Sequence, residues 1–120
     1  MIERYQSNQR MSQIVTFPAS GTMVALSGQV ADTRSLDVEG QTREVLAKID
    51  RLLREAGASK EQIVSASIWL KDIQSFDEMN RVWDEWVPSG HAPARACVES
   101  NLAFDDLLVE VQVFAVKQSE

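Results

Sequence analysis

The chain has 120 residues, of which 44% are hydrophobic, and this length and composition suit a single domain over residues 1–120 with its own apolar core. Twelve Lys and Arg residues against eighteen Asp and Glu residues give a formal net charge of −6, which argues against nucleic acid and against an anionic membrane surface as partners. With one cysteine, one histidine and no membrane-length apolar run, we expect a cytoplasmic protein without an intramolecular disulfide or a zinc site built from Cys and His.

The first half of the chain predicts two strands and a helix. Residues 11–15 and 22–30 have strand character, with turn residues between them at Pro18, Ser20 and Gly21. A helix should begin near Asp37, and Gly57 stands where a C-terminal cap belongs. The apolar residues of this helix recur at spacings of three and four: Val45, Ile49, Leu52, Leu53 and Ala56.

The second half predicts three strands and a second helix. Residues 63–70 are rich in β-branched and aromatic side chains, which is typical of a strand. Ser75 and Glu78 have capping-box spacing and predict a helix from 76 to 86. Strands at 94–99 and 108–116 complete the order β-β-α-β-α-β-β, an α+β sheet with two helices on one face.

The last strand is apolar on both faces, which bears on assembly. Leu108, Phe114 and Val116 lie on one face, and a second apolar set lies on the other: Val109, Val111, Val113 and Ala115. Two helices can cover only one face of such a sheet, and a large exposed apolar face on a monomer would promote aggregation. We therefore expect the second face to be buried by other copies of the chain, in a homo-oligomer.

Arg95 is the first candidate functional residue. It begins a predicted inner strand, and strand alternation places Arg95, Cys97 and Glu99 on one face. One interpretation is a structural ion pair with Glu99 or Glu110, which spacing alone favours. The other is a guanidinium that binds a substrate carboxylate through two hydrogen bonds, a geometry that arginine provides well.

Glu110 is the second candidate, in an otherwise apolar strand. An isolated buried carboxylate is costly, so Glu110 needs a partner or a chemical task. If the last two strands formed a hairpin, Arg95 and Glu110 could lie close together. Their pairing would then be structural, or Glu110 would orient and activate a water molecule.

The sequence gives weaker indications of a functional role for Cys97 and Gly28. A lone cysteine in a strand is usually a buried apolar residue, and no histidine is placed to activate Cys97, since His91 lies in a turn. Gly28 ends a strand in the tripeptide Ser27-Gly28-Gln29 and would let the backbone approach a ligand or another chain. The stripe that contains Trp83 and Trp86 indicates core packing.

These pieces together resemble the RidA (YjgF) family of reactive-intermediate deaminases, from about Thr22 to Val116. The landmarks are Leu26-Ser27-Gly28-Gln29-Val30, Gln41, Leu53 to Gly57, Trp69-Leu70-Lys71-Asp72, Phe76-Asp77-Glu78-Met79-Asn80, Pro93-Ala94-Arg95-Ala96-Cys97-Val98 and Val109-Glu110-Val111. Two further segments resemble the YoaB-type branch: Arg10-Met11-Ser12 and residues 79–86.

The resemblance implies a chorismate-mutase-like fold and a homotrimer with small-carboxylate clefts between subunits. It implies hydrolysis of 2-imino and 2-enamino acids to 2-keto acids and ammonia, without a cofactor. The arginine matching Arg95 would hold the substrate carboxylate, and the glutamate matching Glu110 would orient the attacking water. Gly28, Asn80 and Cys97 match family positions in or near the pocket.

The chain also departs from the family pattern in two places. Many deaminating members have a Gly-Pro-Tyr segment before the second strand, whereas residues 12–15 read Ser-Gln-Ile-Val without a tyrosine. Gln112 stands where many members have a second glutamate. Both changes could alter substrate choice. The alternative function is a non-catalytic trimer that binds and senses a small carboxylate, which would need Arg95 but not Glu110.

Overall fold

The computed structural model describes residues 1–118 of the chain. Over these residues it contains six strands and two α-helices. In chain order they are β1 (Glu3–Ser7), β2 (Ser12–Thr16), β3 (Thr22–Ala25), α1 (Val38–Glu55), β4 (Ile63–Leu70), α2 (Phe76–Trp86), β5 (Ala94–Glu99) and β6 (Val109–Lys117).

A four-stranded mixed sheet forms the centre of the fold, in the order β3-β6-β4-β5. Strand β6 is antiparallel to both of its neighbours, while β4 and β5 are parallel and are connected through α2. Both helices contribute to one core cluster with alternate residues of β4 and β6, among them Ile49, Trp83, Ile68 and Val111. The predicted α+β class with two helices on one face is confirmed.

The N-terminal strands differ from the prediction. Residues 12–16 do not join the main sheet but pair with β1 in a separate hairpin. Strand β1 has no strand signal in the sequence, because its polar residues are mostly exposed and show no alternation with apolar ones. The strand predicted at residues 22–30 ends at Ala25. Beyond it, the N–H of Leu26 donates to the carbonyl of Val113 at 3.2 Å, and Gln29 forms an isolated bridge to Val111.

The ends of α1 follow the sequence signals. The Asp37 carboxylate accepts a hydrogen bond from the backbone N–H of Gly40 at 2.9 Å. At the other end Gly57 has a φ of +78°, and the N–H of Ala58 donates to the carbonyl of Leu53 at 2.8 Å. A positive φ of this kind favours glycine, so the predicted C-terminal cap is confirmed.

The predicted capping box of α2 is wrong. Ser75 makes no side-chain cap, because a 3₁₀ turn at residues 73–75 leads into the helix and already gives Ser75 a near-helical backbone. Asp72 begins this turn instead, and its carboxylate accepts a hydrogen bond from the N–H of Gln74 at 2.9 Å. The helix therefore starts where predicted but with a different cap.

The last two strands are not neighbours. Strand β4 lies between β5 and β6, so the hairpin that could have brought Arg95 to Glu110 does not exist. The reason is the crossover through α2, which places β5 parallel to β4 at the edge of the sheet rather than at an inner position.

The sheet face opposite the helices is only partly covered within one copy of the chain. Met23 is 58% exposed and Val98 is 50% exposed on it, and an apolar groove of about 430 Å³ contains Phe17 and Phe114. This open face is the one from which the sequence predicts oligomerisation. Among residues 1–118, no helix is both long and apolar enough to cross a membrane.

Candidate active site

The side chain of Arg95 lies on the helix-covered side of the sheet, next to α2. Its Nη1 donates a hydrogen bond to Oδ1 of Asn80 at 2.6 Å. Its guanidinium carbon lies 5.2 Å from the ring centre of Trp83 and 5.9 Å from that of Phe76. Aromatic faces stabilise a cation at these distances without neutralising it. Strand β5 and helix α2 together therefore fix the guanidinium in place.

Arg95 has no carboxylate hydrogen-bonded to it among residues 1–118. Neither of the acidic residues considered from the sequence pairs with it: the Glu99 carboxylate accepts from the N–H of Ile73 at 2.9 Å, and Glu110 lies elsewhere. Burial lowers the pKa of the Arg95 guanidinium below its usual value. The group nevertheless remains charged at neutral pH, because the usual pKa of arginine is far higher. The structural ion pair favoured by spacing alone is therefore absent here.

Asn80 is the buried partner of Arg95. The residue is 1% exposed, and its Nδ2 has no hydrogen-bond partner among the described residues. A buried amide N–H without an acceptor is unfavourable, because folding has removed its water without replacing it. Asn80 therefore places an unsatisfied donor beside a guanidinium that also has no carboxylate hydrogen-bonded to it among residues 1–118.

A cavity of about 280 Å³ opens beside Arg95. Its walls come from β5, from α2 and from the turn between β1 and β2: Asn8, Gln9, Arg10, Met11, Phe76, Asp84 and Arg95. Arg10 and Asp84 form a two-bond ion pair in this wall, with N–O distances of 2.9 and 2.8 Å. These hydrogen bonds hold the pKa of the Asp84 carboxyl below its usual value. A larger depression of about 470 Å³ lies along α1, but it contains none of the predicted site residues.

Glu110 and Gly28 lie together on the other side of the sheet. A Cβ atom built on Gly28 would overlap the Glu110 carboxylate and would lie 3.1 Å from its Cδ. Glycine at residue 28 thus leaves room for the close approach of the Glu110 carboxylate of the same copy, and a larger residue would require the end of that side chain to shift. Gln112 lies two residues along on the same face, where its Nε2 donates to the carbonyl of Leu26 at 3.1 Å.

Register shows that Arg95 and Glu110 face opposite sides of the sheet. Arg95 lies opposite Ala66 of β4, and Glu110 lies opposite Trp69. Directly paired residues share a face, and residues three apart on one strand point to opposite faces. The two groups therefore cannot act on one small ligand within a single copy of the chain. They could do so only across an interface between copies.

Cys97 follows Arg95 on the helix-covered face and is half-buried against the core. Burial raises the pKa of its thiol, and the nearby Arg95 charge opposes this effect only in part. A raised pKa keeps the thiol protonated and therefore a poor nucleophile. His91 is exposed in its turn, and its Nδ1 is 3.0 Å from the carbonyl oxygen of Ser89.

The sequence reasoning did not assign Arg10, Phe76 or Asp84 to the site. The segment Arg10-Met11-Ser12 was recognised as a branch signature, but its place in the cavity depends on the turn after the unpredicted strand β1. Trp83 is fully buried, as its helical stripe indicated, and its Nε1 donates to the carbonyl of Arg10 at 2.9 Å. Trp83 thus packs in the core and also holds the backbone of Arg10, which lines the cavity. Within residues 1–118, no cluster of three or more His, Cys, Asp or Glu side chains is placed to hold a metal ion.

Comparison with known proteins places these features in context. The family model described as Endoribonuclease L-PSP matches residues 1–117. A RutC family protein of Haemophilus ducreyi is 35% identical over 115 residues, which cover 96% of each chain. The RutC family protein YoaB of Escherichia coli is 38% identical over 86 residues, 72% of this chain and 75% of that protein.

A solved structure shows the same architecture. The crystal structure of a member of the YjgF protein family from Neisseria meningitidis superposes with a TM-score of 0.79 at 41% identity. The match covers 100% of this chain and 98% of that one. The arrangement of helices and mixed sheet is thus shared over the whole length.

Proposed function

The chain belongs to the Endoribonuclease L-PSP family, which includes the YjgF/RidA proteins, and we propose that it hydrolyses reactive 2-imino and 2-enamino acids to 2-keto acids and ammonia. The observation that carries this proposal is the burial and hydrogen bonding of the Arg95 guanidinium. A half-buried guanidinium beside a cavity is suited to a ligand carboxylate when no protein carboxylate is hydrogen-bonded to it, and the one carboxylate in the cavity wall, Asp84, is hydrogen-bonded to Arg10 instead.

Asn80 supports the same assignment. Its Oδ1 fixes one edge of the Arg95 guanidinium, while its Nδ2 is a buried donor that lacks an acceptor. Asn80 is buried and is not among the residues that line the cavity, so its role in the proposal is to position the Arg95 guanidinium for a ligand carboxylate.

Glu110 would complete the site from a neighbouring copy of the chain. Since Glu110 and Arg95 point to opposite faces of the sheet, we place the cleft between subunits, with Arg95 and Asn80 from one copy and Glu110 and Gly28 from the next. A closed ring of three copies gives three equivalent clefts and buries the open apolar sheet face. The homotrimer is therefore part of the proposal.

The reaction needs only a positioned water and a carboxylate anchor. Carbon 2 of an imino acid is already electrophilic, and Arg95 would hold the adjacent carboxylate. Water adds to carbon 2 while Glu110 takes one of its protons. That proton then passes to the nitrogen, which gives a carbinolamine. The hydroxyl proton of this intermediate moves to the nitrogen as the C–N bond breaks, so that ammonia leaves and the C–O bond becomes the 2-keto group.

The alternative is a trimer that binds and senses a small carboxylate without catalysis. It would use Arg95 in the same way, so the presence of Glu110 next to Gly28 favours the enzyme. The family description also raises RNA cleavage. A net charge of −6 makes RNA an unfavourable partner, because phosphate binding needs a basic surface.

Ammonia release measures the proposed activity directly. Imino acids would be generated in situ from several amino acids, and release would be compared with and without the protein. Arg95→Ala should abolish the acceleration. Arg43→Ala is the matched control, because Arg43 lies on the exposed surface of α1 with its side chain 59% exposed, and it should behave as wild type. No acceleration by the wild-type protein on any imino acid would favour the binding-only alternative.

Oligomeric state is an independent prediction. Light scattering on the purified protein should give a mass near three times 13.4 kDa. The physical reason is the apolar sheet face that the two helices leave open. A stable monomer at micromolar concentration would contradict both the trimer and the shared cleft.

Cys97 should not be the nucleophile. Cys97→Ser and Cys97→Ala are expected to keep measurable turnover, since a half-buried thiol of raised pKa contributes packing rather than a thiolate. Turnover is measured together with the oligomeric mass, so that misfolded protein is recognised. Complete loss of activity in a variant that still assembles normally would overturn this assignment.

A further inference from the structure

A second guanidinium lines the same cavity as Arg95. Arg10 belongs to the turn between β1 and β2, and its carbonyl is held to α2 by the hydrogen bond from Trp83. Its guanidinium carbon lies 6.0 Å from the ring centre of Phe76, and that of Arg95 lies 5.9 Å from the same ring. Since both carbons lie this close to one ring centre, they are at most about 12 Å apart. One small molecule can therefore touch both cations.

Arg10 keeps hydrogen-bonding capacity toward the cavity. Asp84 accepts from its Nε and Nη2, while Nη1 has no acceptor among residues 1–118. A guanidinium has five N–H donors, so a second carboxylate can bind at the edge that Asp84 does not use. The Arg10 side chain is 36% exposed, and Arg10 is one of the residues that line the cavity.

We propose that Arg10 is a specificity residue, and that the cavity prefers 2-imino and 2-keto acids with a second carboxylate on a chain of four or five carbons. This inference deepens the proposed function and depends on it. Arg95 takes the carboxylate next to the reacting carbon, and Arg10 takes the distal one. With carbon–carbon bonds of about 1.5 Å and hydrogen bonds of about 2.8 Å, such an acid spans cations up to roughly 12 Å apart.

Asp84 limits this preference. It holds Arg10 in place through two hydrogen bonds, but its negative charge lies in the same wall and repels a distal carboxylate. The two arginines and Asp84 together leave the cavity with a net positive charge. Asp84→Asn keeps an oxygen that can accept from Arg10 and removes the repulsion, so it should tighten binding of dicarboxylates more than binding of monocarboxylates.

Calorimetry with two probes tests the inference. The affinities of 2-oxoglutarate and 2-ketobutyrate for the whole protein are compared for wild type, Arg10→Gln, Asp84→Asn and the control Arg43→Gln. Wild type should bind 2-oxoglutarate about 10-fold more tightly, since a charge-assisted hydrogen bond is worth roughly 1.5 kcal/mol or more. Arg10→Gln should bring the preference ratio close to one, Asp84→Asn should raise it, and Arg43→Gln should not move it.

The outcomes separate this inference from the proposed function. Tight binding of 2-ketobutyrate with no preference for 2-oxoglutarate, or a preference that Arg10→Gln leaves intact, would overturn the role of Arg10 and leave the role of Arg95 standing. Binding of neither acid, or binding of both that survives Arg95→Ala, would overturn the proposed function as well. Light scattering on each variant guards against misfolding, and a misfolded Arg10→Gln is replaced by Arg10→Lys, which should retain only part of the preference.

Discussion

Arg95→Ala is expected to weaken binding of pyruvate or 2-ketobutyrate by roughly 30-fold to several-thousand-fold. The estimate follows from the cost of removing one partner of a desolvated, hydrogen-bonded charge pair, about 2–5 kcal/mol. Arg95 suits such a pair because its guanidinium is half-buried, is oriented by Asn80 and lacks a carboxylate partner among residues 1–118. Calorimetry on variant and wild type measures the effect.

Arg95→Lys should rescue affinity only in part. A lysine ammonium supplies the charge but cannot form two parallel hydrogen bonds to one carboxylate. It would also lose some of the contact that the planar guanidinium makes with Phe76 and Trp83. A lysine variant that binds as tightly as wild type would show that charge alone is recognised.

Thermal stability separates a binding role from a structural one. A purely structural Arg95 predicts that Arg95→Ala lowers the melting temperature and leaves affinity unchanged. A binding role predicts the large loss of affinity, with a smaller change in stability from the lost contacts to Asn80 and α2. Intact affinity after Arg95→Ala would rule out both the deaminase and the ligand-sensor hypotheses for this site.

Local signals in the sequence were sufficient for most elements of the fold. Asp37 and Gly57 mark the ends of α1 because a side-chain cap and a positive φ are properties of single residues. Strand β4 and helix α2 were readable from apolar periodicity for the same reason. Strand β1 was not, because its stability comes from pairing with β2 and from the Arg4 side chain, which donates to the carbonyls of Ile63 and Ala92.

The order of the strands in the sheet could not be predicted from local sequence patterns. Strands 94–99 and 109–117 are separated by a short connection, which by itself favours a hairpin, but β4 takes the place between them. That choice depends on how α2 packs against the core, a long-range property. The consequence for the site is large, because a hairpin would have made Arg95 and Glu110 neighbours, whereas the real order separates them by a strand and a face.

Some residues of the candidate site could be identified from the sequence, and others only from the structure. Arg95, Glu110, Gly28 and Cys97 were identified from their own sequence context, whereas Asn80 came from the family resemblance alone. The structure adds two contacts among them, the hydrogen bond from Arg95 to Asn80 and the Glu110 carboxylate packed on Gly28. Arg10 and Asp84 could not be paired from sequence, since 74 residues separate them and nothing local links them.

Glu110→Gln is expected to keep ligand binding and to lose turnover by roughly 10²- to 10⁴-fold. Glutamine has the size of glutamate and still forms hydrogen bonds, but its amide cannot take a proton from water. The carboxylate packs on Gly28, so an isosteric amide should fit the same space. The rate assay is run beside calorimetry with 2-ketobutyrate, and unchanged turnover with normal binding would favour the ligand-sensor alternative or another base.

Mixing the two inactive variants tests where the site lies. Arg95→Ala and Glu110→Gln subunits, differently tagged and co-expressed in equal amounts, should assemble at random. If each cleft takes Arg95 from one subunit and Glu110 from its neighbour, about one quarter of the clefts contain both wild-type groups, and activity returns to about that fraction. If both groups came from one subunit, no cleft would be intact. Mixed oligomers that stay as inactive as their parents would therefore refute the shared cleft, which the opposite orientations of Arg95 and Glu110 otherwise require.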